Sequence, residues 1–398
     1  MKRAALPLVC LLPFSCALAA QITAVSPVGG PPPVGPFSPG VIADGYLYVS
    51  GQGAKNGQGV IPATFEAQMR QTLDNVKAVV EAAGLTLDHL VYAHLYLADL
   101  ANLPEADRIW SAYLGSNPPA RATIGVARLP GTPVEINAVA VVNIEGRRAV
   151  SAPGFGNKPY PAAILTHDRL FISNVSGSGS TPQAEISNAL DALKAVTEAA
   201  GLSLKHLVFV NPYLTADLPA DVMNREYAAR FEFGNTPARA TIFVDGLPTG
   251  RFALTGVAVR DLSKRLAVRP KNMAPSPTAS PCVFAANTLY CSAKSGFIPG
   301  PFAGIYAATV EHQLRQTFRN LLDNLEEADL SFKNVVAANV YLDNIDDFAA
   351  MNRIYAQYFA EGTKPARTTV EQRKPGSREP DAEGRYPTLE QISIIAVR

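Results

Sequence analysis

The chain has 398 residues, more than one hydrophobic core usually supports, so several domains are expected. Its 35 basic and 34 acidic side chains leave a net charge of +1. This balance excludes the strongly basic surface by which proteins bind nucleic acids or anionic membranes, and it favours a small-molecule or protein partner.

The first 20 residues have the layout of a secretory signal peptide. Basic Lys2 and Arg3 precede an apolar run that ends in the small residues Ala17-Leu18-Ala19. The run holds about 16 apolar residues interrupted by Pro7 and Pro13, fewer than the roughly 20 that span a bilayer. We therefore expect removal of residues 1–20, export to the periplasm or the medium, and no membrane attachment afterwards. A retained anchor is the alternative.

The next 120 or so residues predict one α+β unit. A turn at Asp44-Gly45 joins two strands in a hairpin. A Gly-rich loop and a long helix follow, since apolar residues recur every three or four positions from Phe65 to Val80, and Gly84 can end the helix. A strand over 91–97, a short helix through Ile109 and two strands over 122–127 and 134–142 complete the unit. This order predicts a sheet with both helices on one face.

The same unit recurs twice more. Each copy contains a strand that ends in serine, at Ser50, Ser173 and Ser292, and each contains the word Pro-Ala-Arg, at Arg121, Arg239 and Arg367. Repeats of this length are whole domains, because solenoid units run to roughly 20 to 50 residues. Pro/Gly-rich stretches separate the copies. We predict a signal peptide over 1–20, copy 1 over 21–148, copy 2 over 149–264 and copy 3 over 265–398.

Two cysteines, Cys282 and Cys291, remain after removal of the predicted signal peptide. If Ala286 and Asn287 form a two-residue turn, the two cysteines face each other across a hairpin with Cα atoms about 4.5 Å apart. A disulfide is sterically allowed at that distance and chemically allowed in an exported protein. Two buried free thiols are the alternative.

Five features of copy 1 occur in a fixed order. They are Gly35-Pro-Phe37-Ser38, Leu47 to Gln52, Gln68 to Asn75, Pro119-Ala-Arg121 and Val134-Glu135-Ile136. The set resembles the Rid (YjgF, reactive intermediate deaminase) family, and the resemblance extends once per copy over nearly all of the chain. It implies chorismate-mutase-like domains that assemble as trimers with clefts between subunits. Three copies in one chain therefore predict an intramolecular pseudo-trimer that is monomeric in solution.

The resemblance also implies an activity: hydrolysis of 2-imino acids, or enamines such as 2-aminoacrylate, to 2-keto acids and ammonia without a cofactor. Arg121 is the expected anchor of the substrate carboxylate, since a guanidinium binds a carboxylate bidentately. Glu135 is expected to position or deprotonate the attacking water. Phe37, Ser50 and Gly51 are expected to form the wall of this cleft of copy 1, the chief active cleft. A purely structural Arg121–Glu135 salt bridge is the alternative.

Copy 2 departs from this pattern at the acid/base position. It offers Tyr160, Ser173 and Arg239 for a carboxylate, but Ala253 stands where copy 1 has Glu135. Asn174 replaces Gly51. We expect this cleft to be weak or inactive.

Copy 3 carries Ser292 and Arg367, and the alignment of its last strand places Gln391 on the cleft face. A register slip of one residue would place Glu390 there instead. An insertion rich in charge, Pro and Gly precedes this strand and is either a lid or a plain surface loop. An Asn on the second helix approaches the cleft in the family, and the matching residues here are Asp107, Asn224 and Asn352.

Other chemistry finds no support in the sequence. The five histidines are scattered without metal-ligand spacing, so no metal is expected. The reaction that the resemblance implies needs no cofactor either. A noncatalytic binder of small carboxylates is the main alternative, because all three arginines persist while copy 2 has lost the glutamate. Ribonuclease activity, attributed to some relatives, is disfavoured by the neutral charge balance.

Overall fold

A computed structural model describes residues 21–31, 34–300, 304–360 and 362–398. The predicted signal peptide over 1–20 lies outside the described residues. Three mixed sheets, one for each predicted copy, account for the strands of the described chain. None of the helices in this part of the chain combines the length and apolar character needed to cross a bilayer.

The first sheet has the strand order β1-β2-β3-β6-β4-β5. Its elements are β1 (Thr23–Val25), β2 (Gly40–Ala43), β3 (Tyr46–Gly53), α1 (Phe65–Ala82), β4 (Leu90–Leu97), α2 (Leu103–Leu114), β5 (Ala120–Gly125) and β6 (Val134–Val141). Strands β4 and β5 pair in parallel because α2 carries the chain back between them. The other neighbours in the sheet pair antiparallel.

The other two sheets repeat this plan. Copy 2 contains β7 (Arg148–Val150), β8 (Ala163–Leu165), β9 (Arg169–Ser176), α3 (Pro182–Ala199), β10 (Leu207–Leu214), α4 (Ala220–Ala228), β11 (Ala238–Arg239), β12 (Ile242–Phe243) and β13 (Phe252–Val259). Copy 3 contains β14 (Arg265–Val268), β15 (Cys282–Ala285), β16 (Thr288–Cys291), α5 (Val310–Glu327), β17 (Val335–Leu342), α6 (Phe348–Tyr358), β18 (Ala366–Glu371) and β19 (Glu390–Val397).

The long helices begin in the same way in all three copies. A threonine hydroxyl at Thr64, Thr181 or Thr309 accepts a hydrogen bond from the first-turn backbone of α1, α3 or α5. This N-cap satisfies one of the backbone N–H groups that a helix start leaves without an intrahelical partner. The apolar stripe of α1 faces the sheet, as the sequence predicts, with Met69 and Val80 fully buried.

Two features of the sheets differ from the sequence expectation. Each sheet gains an additional first strand, β1, β7 or β14, of only three or four residues, too short to show an alternating pattern. Strand β3 also continues past Ser50 to Gly53, where a Gly-rich loop was expected, and its pairing with β6 is irregular between Val49 and Gln52.

The three sheets pack around a common axis. In each copy the helices cover one face of the sheet and enclose a separate core. The opposite faces meet in shared clusters, one of which joins Tyr46 of copy 1, Phe171 of copy 2 and Val397 of copy 3. The chain is therefore a pseudo-trimer of chorismate-mutase-like α+β domains, as the resemblance implies.

Arg169 occupies one end of this axis and is fully buried. Its guanidinium donates to Asp44 Oδ2 of copy 1 at 2.9 Å and to Thr288 Oγ1 of copy 3 at 2.8 Å. The hairpin position of Arg169 is taken by Tyr46 in copy 1 and by Thr288 in copy 3. In a trimer of three identical copies, three arginines would meet at this point and repel one another. The contact therefore depends on the difference between the three copies.

The hairpin of copy 3 has the predicted register, with Cys282 opposite Cys291. A disulfide joins the two cysteines, and their Cα atoms lie 4.0 Å apart. The bond faces the core between the sheet and the helices of copy 3.

The insertion of copy 3 lies between β18 and β19 and is held to its own domain. Arg378 pairs with Asp343 at 3.2 Å and with Asp347 at 2.7 Å. The amide of Gln313 donates to Pro387 O at 2.9 Å. Several residues between Ser377 and Pro387 line a surface groove together with Phe297 and Tyr306.

Candidate active site

A serine of one copy fixes the arginine strand of the copy before it around the axis. The serine hydroxyl accepts a hydrogen bond of 2.8 Å from the arginine backbone N–H in three pairs: Arg121 with Ser173, Arg239 with Ser292, and Arg367 with Ser50. Each cleft therefore combines two copies. We name the clefts by their arginines: the Arg121 cleft, the Arg239 cleft and the Arg367 cleft.

This pairing corrects the residue sets expected from the sequence. Arg121 and Glu135 do not share a cleft, because Glu135 lines the Arg367 cleft together with Phe37 and Gly51. Tyr160 stacks on Arg121, not on Arg239. The assignment by copy fails because the serine strand of one domain borders the arginine strand of another.

Arg367 is a buried cation held between aromatic rings. It is 3% exposed, and its guanidinium carbon lies 4.9 Å from the ring centre of Phe37, 4.8 Å from that of Tyr355 and 5.6 Å from that of Phe348. Burial lowers the pKa of Arg367 to about 10. Within the described part of the chain no carboxylate forms a salt bridge with it, so its charge is available to an anion.

Glu135 is the carboxyl group that lines the Arg367 cleft. It lies on β6 opposite Tyr96 and is 6% exposed. Burial raises the pKa of Glu135 to about 8, and the positive charge of Arg367 opposes that rise. A carboxyl group with this pKa is mainly protonated at neutral pH and can both give and take a proton there.

Gly51 provides the space that Glu135 occupies. A Cβ atom on Gly51 would lie 2.0 Å from Glu135 Oε1, far inside van der Waals contact. The backbone of Gly35 approaches the other side of the site, since a Cβ there would lie 2.6 Å from Arg367 Nη2. The small size of both glycines thus lets the backbone approach the two charged groups where they now lie, and a Cβ at either position would push the charged side chain aside.

Arg367 and Glu135 line one cavity of about 100 Å³. Its wall is mostly apolar and includes Phe37 and Phe348, and its third charged residue is Lys55. The side chain of Asn352, on α6, donates to Val34 O at 3.3 Å and so joins the second helix to the N-terminal segment over the cleft. The cavity has room for a small anion with a short side chain.

The Arg121 cleft has a different character. Arg121 is 1% exposed, and its Nη2 donates to Asp107, with which it forms an ion pair. The guanidinium carbon lies 4.4 Å from the ring centre of Tyr160 and 5.0 Å from that of Trp110. The amide of Asn174 fills the position of Gly51 and donates to Thr123 O at 3.0 Å. The arginine predicted as the main anchor is thus already neutralised by an acid of its own domain.

Ala253 replaces Glu135 in the Arg121 cleft. It lies opposite Tyr213 on β10, as Glu135 lies opposite Tyr96 on β4. With Ala253 at this position, the cleft lacks the carboxyl group that could exchange a proton with a substrate.

The Arg239 cleft contains amides in place of the acid. Arg239 donates to Asn224 Oδ1 at 2.9 Å, and Ser292 accepts from its backbone. Gln391 lies opposite Tyr341 at the position of Glu135, and its amide donates to Thr241 O at 3.2 Å. The neighbouring Glu390 faces α5, where Thr317 Oγ1 donates to it at 2.5 Å.

No pattern in the sequence marks several residues of the Arg367 cleft as functional. Phe348 and Tyr355 belong to the apolar pattern of α6 and look like ordinary core residues. Lys55 lies within a Gly-rich stretch, from which the direction of its side chain cannot be predicted. Among the described residues, no group of three or more His, Cys, Asp or Glu side chains is placed to hold a metal ion.

Comparison with known proteins identifies the relatives of these domains. A family model described as "Endoribonuclease L-PSP" matches residues 29–142 and 271–375, more than half of the chain. The RutC family protein SSO3206 of Saccharolobus solfataricus is 41% identical over 103 residues, which cover 25% of this chain and 81% of that protein. The 2-iminobutanoate/2-iminopropanoate deaminase of Escherichia coli is 39% identical over 116 residues, 28% of this chain and 91% of that protein.

Solved structures show the same one-domain coverage. The YjgF gene product of E. coli is 36% identical and covers 30% of this chain and 99% of its own, with a TM-score of 0.30. Yeast Mmf1 is 28% identical and covers 31% of this chain and all of its own, with a TM-score of 0.30. Since the family model matches in two regions that together exceed half of the sequence, the chain belongs to the L-PSP (YjgF/RutC) family.

Proposed function

We propose that the Arg367 cleft hydrolyses 2-imino acids and their enamine tautomers, of the 2-aminoacrylate type, to 2-keto acids and ammonia. The observation that carries this proposal is one cavity lined by two groups: an arginine that has no salt-bridge partner among the described residues, and a buried carboxyl group of raised pKa. A relative 39% identical to part of this chain is named a 2-iminobutanoate/2-iminopropanoate deaminase, which agrees in reaction class.

Arg367 is the proposed carboxylate anchor. A guanidinium binds a carboxylate through two parallel N–H···O bonds, and the flanking rings of Phe37 and Tyr355 hold it in one orientation. Because the group is buried, its attraction for an anion is screened less than at the surface. Binding of the carboxylate to Arg367 fixes the position of the imine carbon relative to Glu135. The proton transfer then takes place within one complex and needs no separate encounter of two molecules.

Glu135 is the proposed acid and base. At neutral pH its protonated form donates a proton to the terminal carbon of an enamine, which yields the imine, or to the nitrogen of an imine. The resulting carboxylate then takes a proton from water as the water oxygen attacks the imine carbon. Collapse of this adduct moves the glutamate proton to the leaving nitrogen, breaks the C–N bond and releases ammonia. The hydroxyl proton of the adduct passes to the carboxylate, which restores protonated Glu135, so imino acid plus water gives keto acid plus ammonia.

For the Arg239 cleft we propose carboxylate binding without turnover. Arg239 and Asn224 can hold an anion, but Gln391 at the acid position cannot exchange a proton near neutral pH. Noncatalytic binding, the main alternative for the whole chain, is thus assigned to one cleft. We assign neither catalysis nor carboxylate binding to the Arg121 cleft, because Arg121 is already ion-paired with Asp107.

We also propose that the mature chain is exported and monomeric. The N-terminal sequence pattern and the disulfide between Cys282 and Cys291 support an oxidising compartment. A closed ring of three domains in one chain leaves no open cleft that a further subunit must complete.

The test is an assay of the chain from Gln21 with 2-iminopropanoate generated by an amino-acid oxidase. We expect faster release of keto acid than in buffer, and a loss of about 10²- to 10⁴-fold in kcat for Glu135→Gln, the usual range for removal of a general acid/base. Glu390→Gln is the matched control, because burial raises the pKa of Glu390 to about 8 as well, but the group faces the helix α5. Equal rates for the parent chain and Glu135→Gln would refute the assignment.

A further inference from the structure

The third residue of the strand after the long helix faces the axis in every copy. This residue is Tyr92 in β4, Phe209 in β10 and Ala337 in β17. All three line the same cavity between the sheets, together with residues of each copy. Two copies thus place an aromatic ring at this level of the axis and the third places a methyl group.

The two rings each extend toward the following copy. Tyr92 of copy 1 lies beside Thr255 and Tyr213 of copy 2. Phe209 of copy 2 lies 6.1 Å, between ring centres, from Tyr290 of copy 3. By the same arrangement Ala337 faces copy 1, where its methyl group leaves open the space that a third ring would occupy. The cavity that results measures about 100 Å³.

The lining of this cavity is aromatic and aliphatic with a few polar atoms. Tyr48, Phe171 and Tyr290 form an aromatic wall. Two buried hydroxyls in the lining, Tyr48 Oη and Ser393 Oγ, form no hydrogen bond of good geometry within the described part of the chain, although buried polar groups usually have one. Arg169 lies near the first hydroxyl and Tyr341 near the second. A ligand with a single hydrogen-bonding group would satisfy one of the two hydroxyls.

The size of the cavity limits its occupant to one small ring. An apolar protein cavity of about 150 Å³ takes up benzene. The axial cavity, at about 100 Å³, is smaller, so a single ring is the upper limit for its occupant and larger ring systems are excluded. The aromatic wall favours a planar aromatic ligand, since rings pack edge-to-face or offset against one another.

We propose that this axial cavity is a binding site for a small monocyclic phenol. The ring would occupy the space left by Ala337, and the phenolic hydroxyl would bond to Tyr48 Oη or Ser393 Oγ. Arg367 and Thr368 also line the cavity, so the ligand would contact strand β18, which carries the anchor of the Arg367 cleft. The axial cavity is distinct from the proposed substrate cavity, although Arg367 lines both, and binding there does not depend on the proposed reaction.

The experiment is a titration of the chain from Gln21 with 4-fluorophenol, followed by the ¹⁹F signal of the ligand. We expect saturable binding at one site per chain and its loss in Ala337→Phe, whose ring fills the cavity. Ala337→Leu is a smaller filling variant and should weaken binding as well. Phe209→Ala should add a second site at the equivalent position between copies 2 and 3.

Binding that persists unchanged in both Ala337 variants would overturn the proposal, as would the absence of saturable binding to the parent chain. Cyclohexanol tests the ring requirement, and it should bind more weakly than the phenol. Equal or tighter binding of cyclohexanol would contradict an aromatic site.

Discussion

The Arg367 cleft and the Arg121 cleft contain the same anchor residue in opposite states. Arg367 is held by aromatic rings and lines a cavity with Glu135, whereas Arg121 is paired with Asp107 and covered by Tyr160. A guanidinium that is already paired with a carboxylate gains little from a second anion. The Pro-Ala-Arg motif therefore indicates the position of a cleft, but it does not indicate whether that cleft can bind a carboxylate.

The residues opposite each arginine change together. Gly51 accompanies Glu135 in the Arg367 cleft, and Asn174 accompanies Ala253 in the Arg121 cleft. The steric reason is the 2.0 Å separation that a Cβ on Gly51 would have from the Glu135 carboxylate. A side chain at this position would displace the Glu135 carboxylate from the place it occupies, whereas Ala253 leaves room for the larger Asn174.

The largest expected effect is on stability and concerns Glu135. Its pKa is raised from 4.5 to about 8 in the folded protein, so the unfolded chain gives up this proton at lower pH and stability falls as pH rises between these values. Glu135→Gln removes that cost without changing the shape of the side chain. We expect the variant to match the parent near pH 4 and to exceed it by about 3 to 5 kcal/mol above pH 8.

Urea denaturation at several pH values measures this difference. A stability difference that does not change with pH would contradict the raised pKa. Asp107→Asn in the Arg121 cleft is the comparison variant, and it should show no such gain, because Asp107 is ion-paired.

The second effect is on the pH dependence of catalysis. If protonated Glu135 begins the reaction, turnover falls as pH rises through about 8. We expect kcat to fall about fiftyfold from pH 8 to pH 10, since about half of the glutamate is in the acid form at pH 8 and about one hundredth at pH 10. Initial rates corrected for uncatalysed hydrolysis check this, and a rate that increases over the same range would assign Glu135 a role as base only.

The smallest effect is a gain of function in the Arg121 cleft. Asp107→Asn releases Arg121, Asn174→Gly makes room, and Ala253→Glu supplies the acid. In a chain whose Arg367 cleft is inactivated, we expect the three changes together to raise the rate at least about a hundredfold above that of the inactivated chain, the lower end of what a placed acid contributes.

Ala253→Glu alone is the control for this graft. The side chain of Asn174 occupies the space that the new carboxylate needs, so the single change should give no activity. Activity in the single variant, or none in the triple variant, would show that the difference between the clefts lies in other residues.

Much of the fold follows from the sequence. The apolar stripe of α1, the turn at Asp44-Gly45 and the register that joins Cys282 to Cys291 depend on neighbours along the chain, which a sequence displays directly. The positions of Ala253 and Gln391 opposite equivalent tyrosines likewise follow from strand alternation.

The composition of the clefts does not follow from the sequence. The order of the domains around the axis decides which copy completes the cleft of each arginine, and no local sequence pattern shows this order. The sequence therefore places Glu135 with Arg121, whereas the structure places it with Arg367. The ion pair with Asp107 depends on the reach of two side chains, and Tyr355 is indistinguishable in sequence from a core residue. The axial role of Arg169 is equally invisible, since its partners lie in the other two copies.

The most direct test of the account compares Arg367→Lys with Arg121→Lys in hydrolysis of 2-iminopropanoate. Lysine keeps the charge but cannot bind a carboxylate bidentately. We predict that Arg367→Lys loses about a hundredfold in kcat/KM, while Arg121→Lys keeps the rate of the parent chain. Loss of activity in Arg121→Lys with full activity in Arg367→Lys would contradict the assignment of the active cleft.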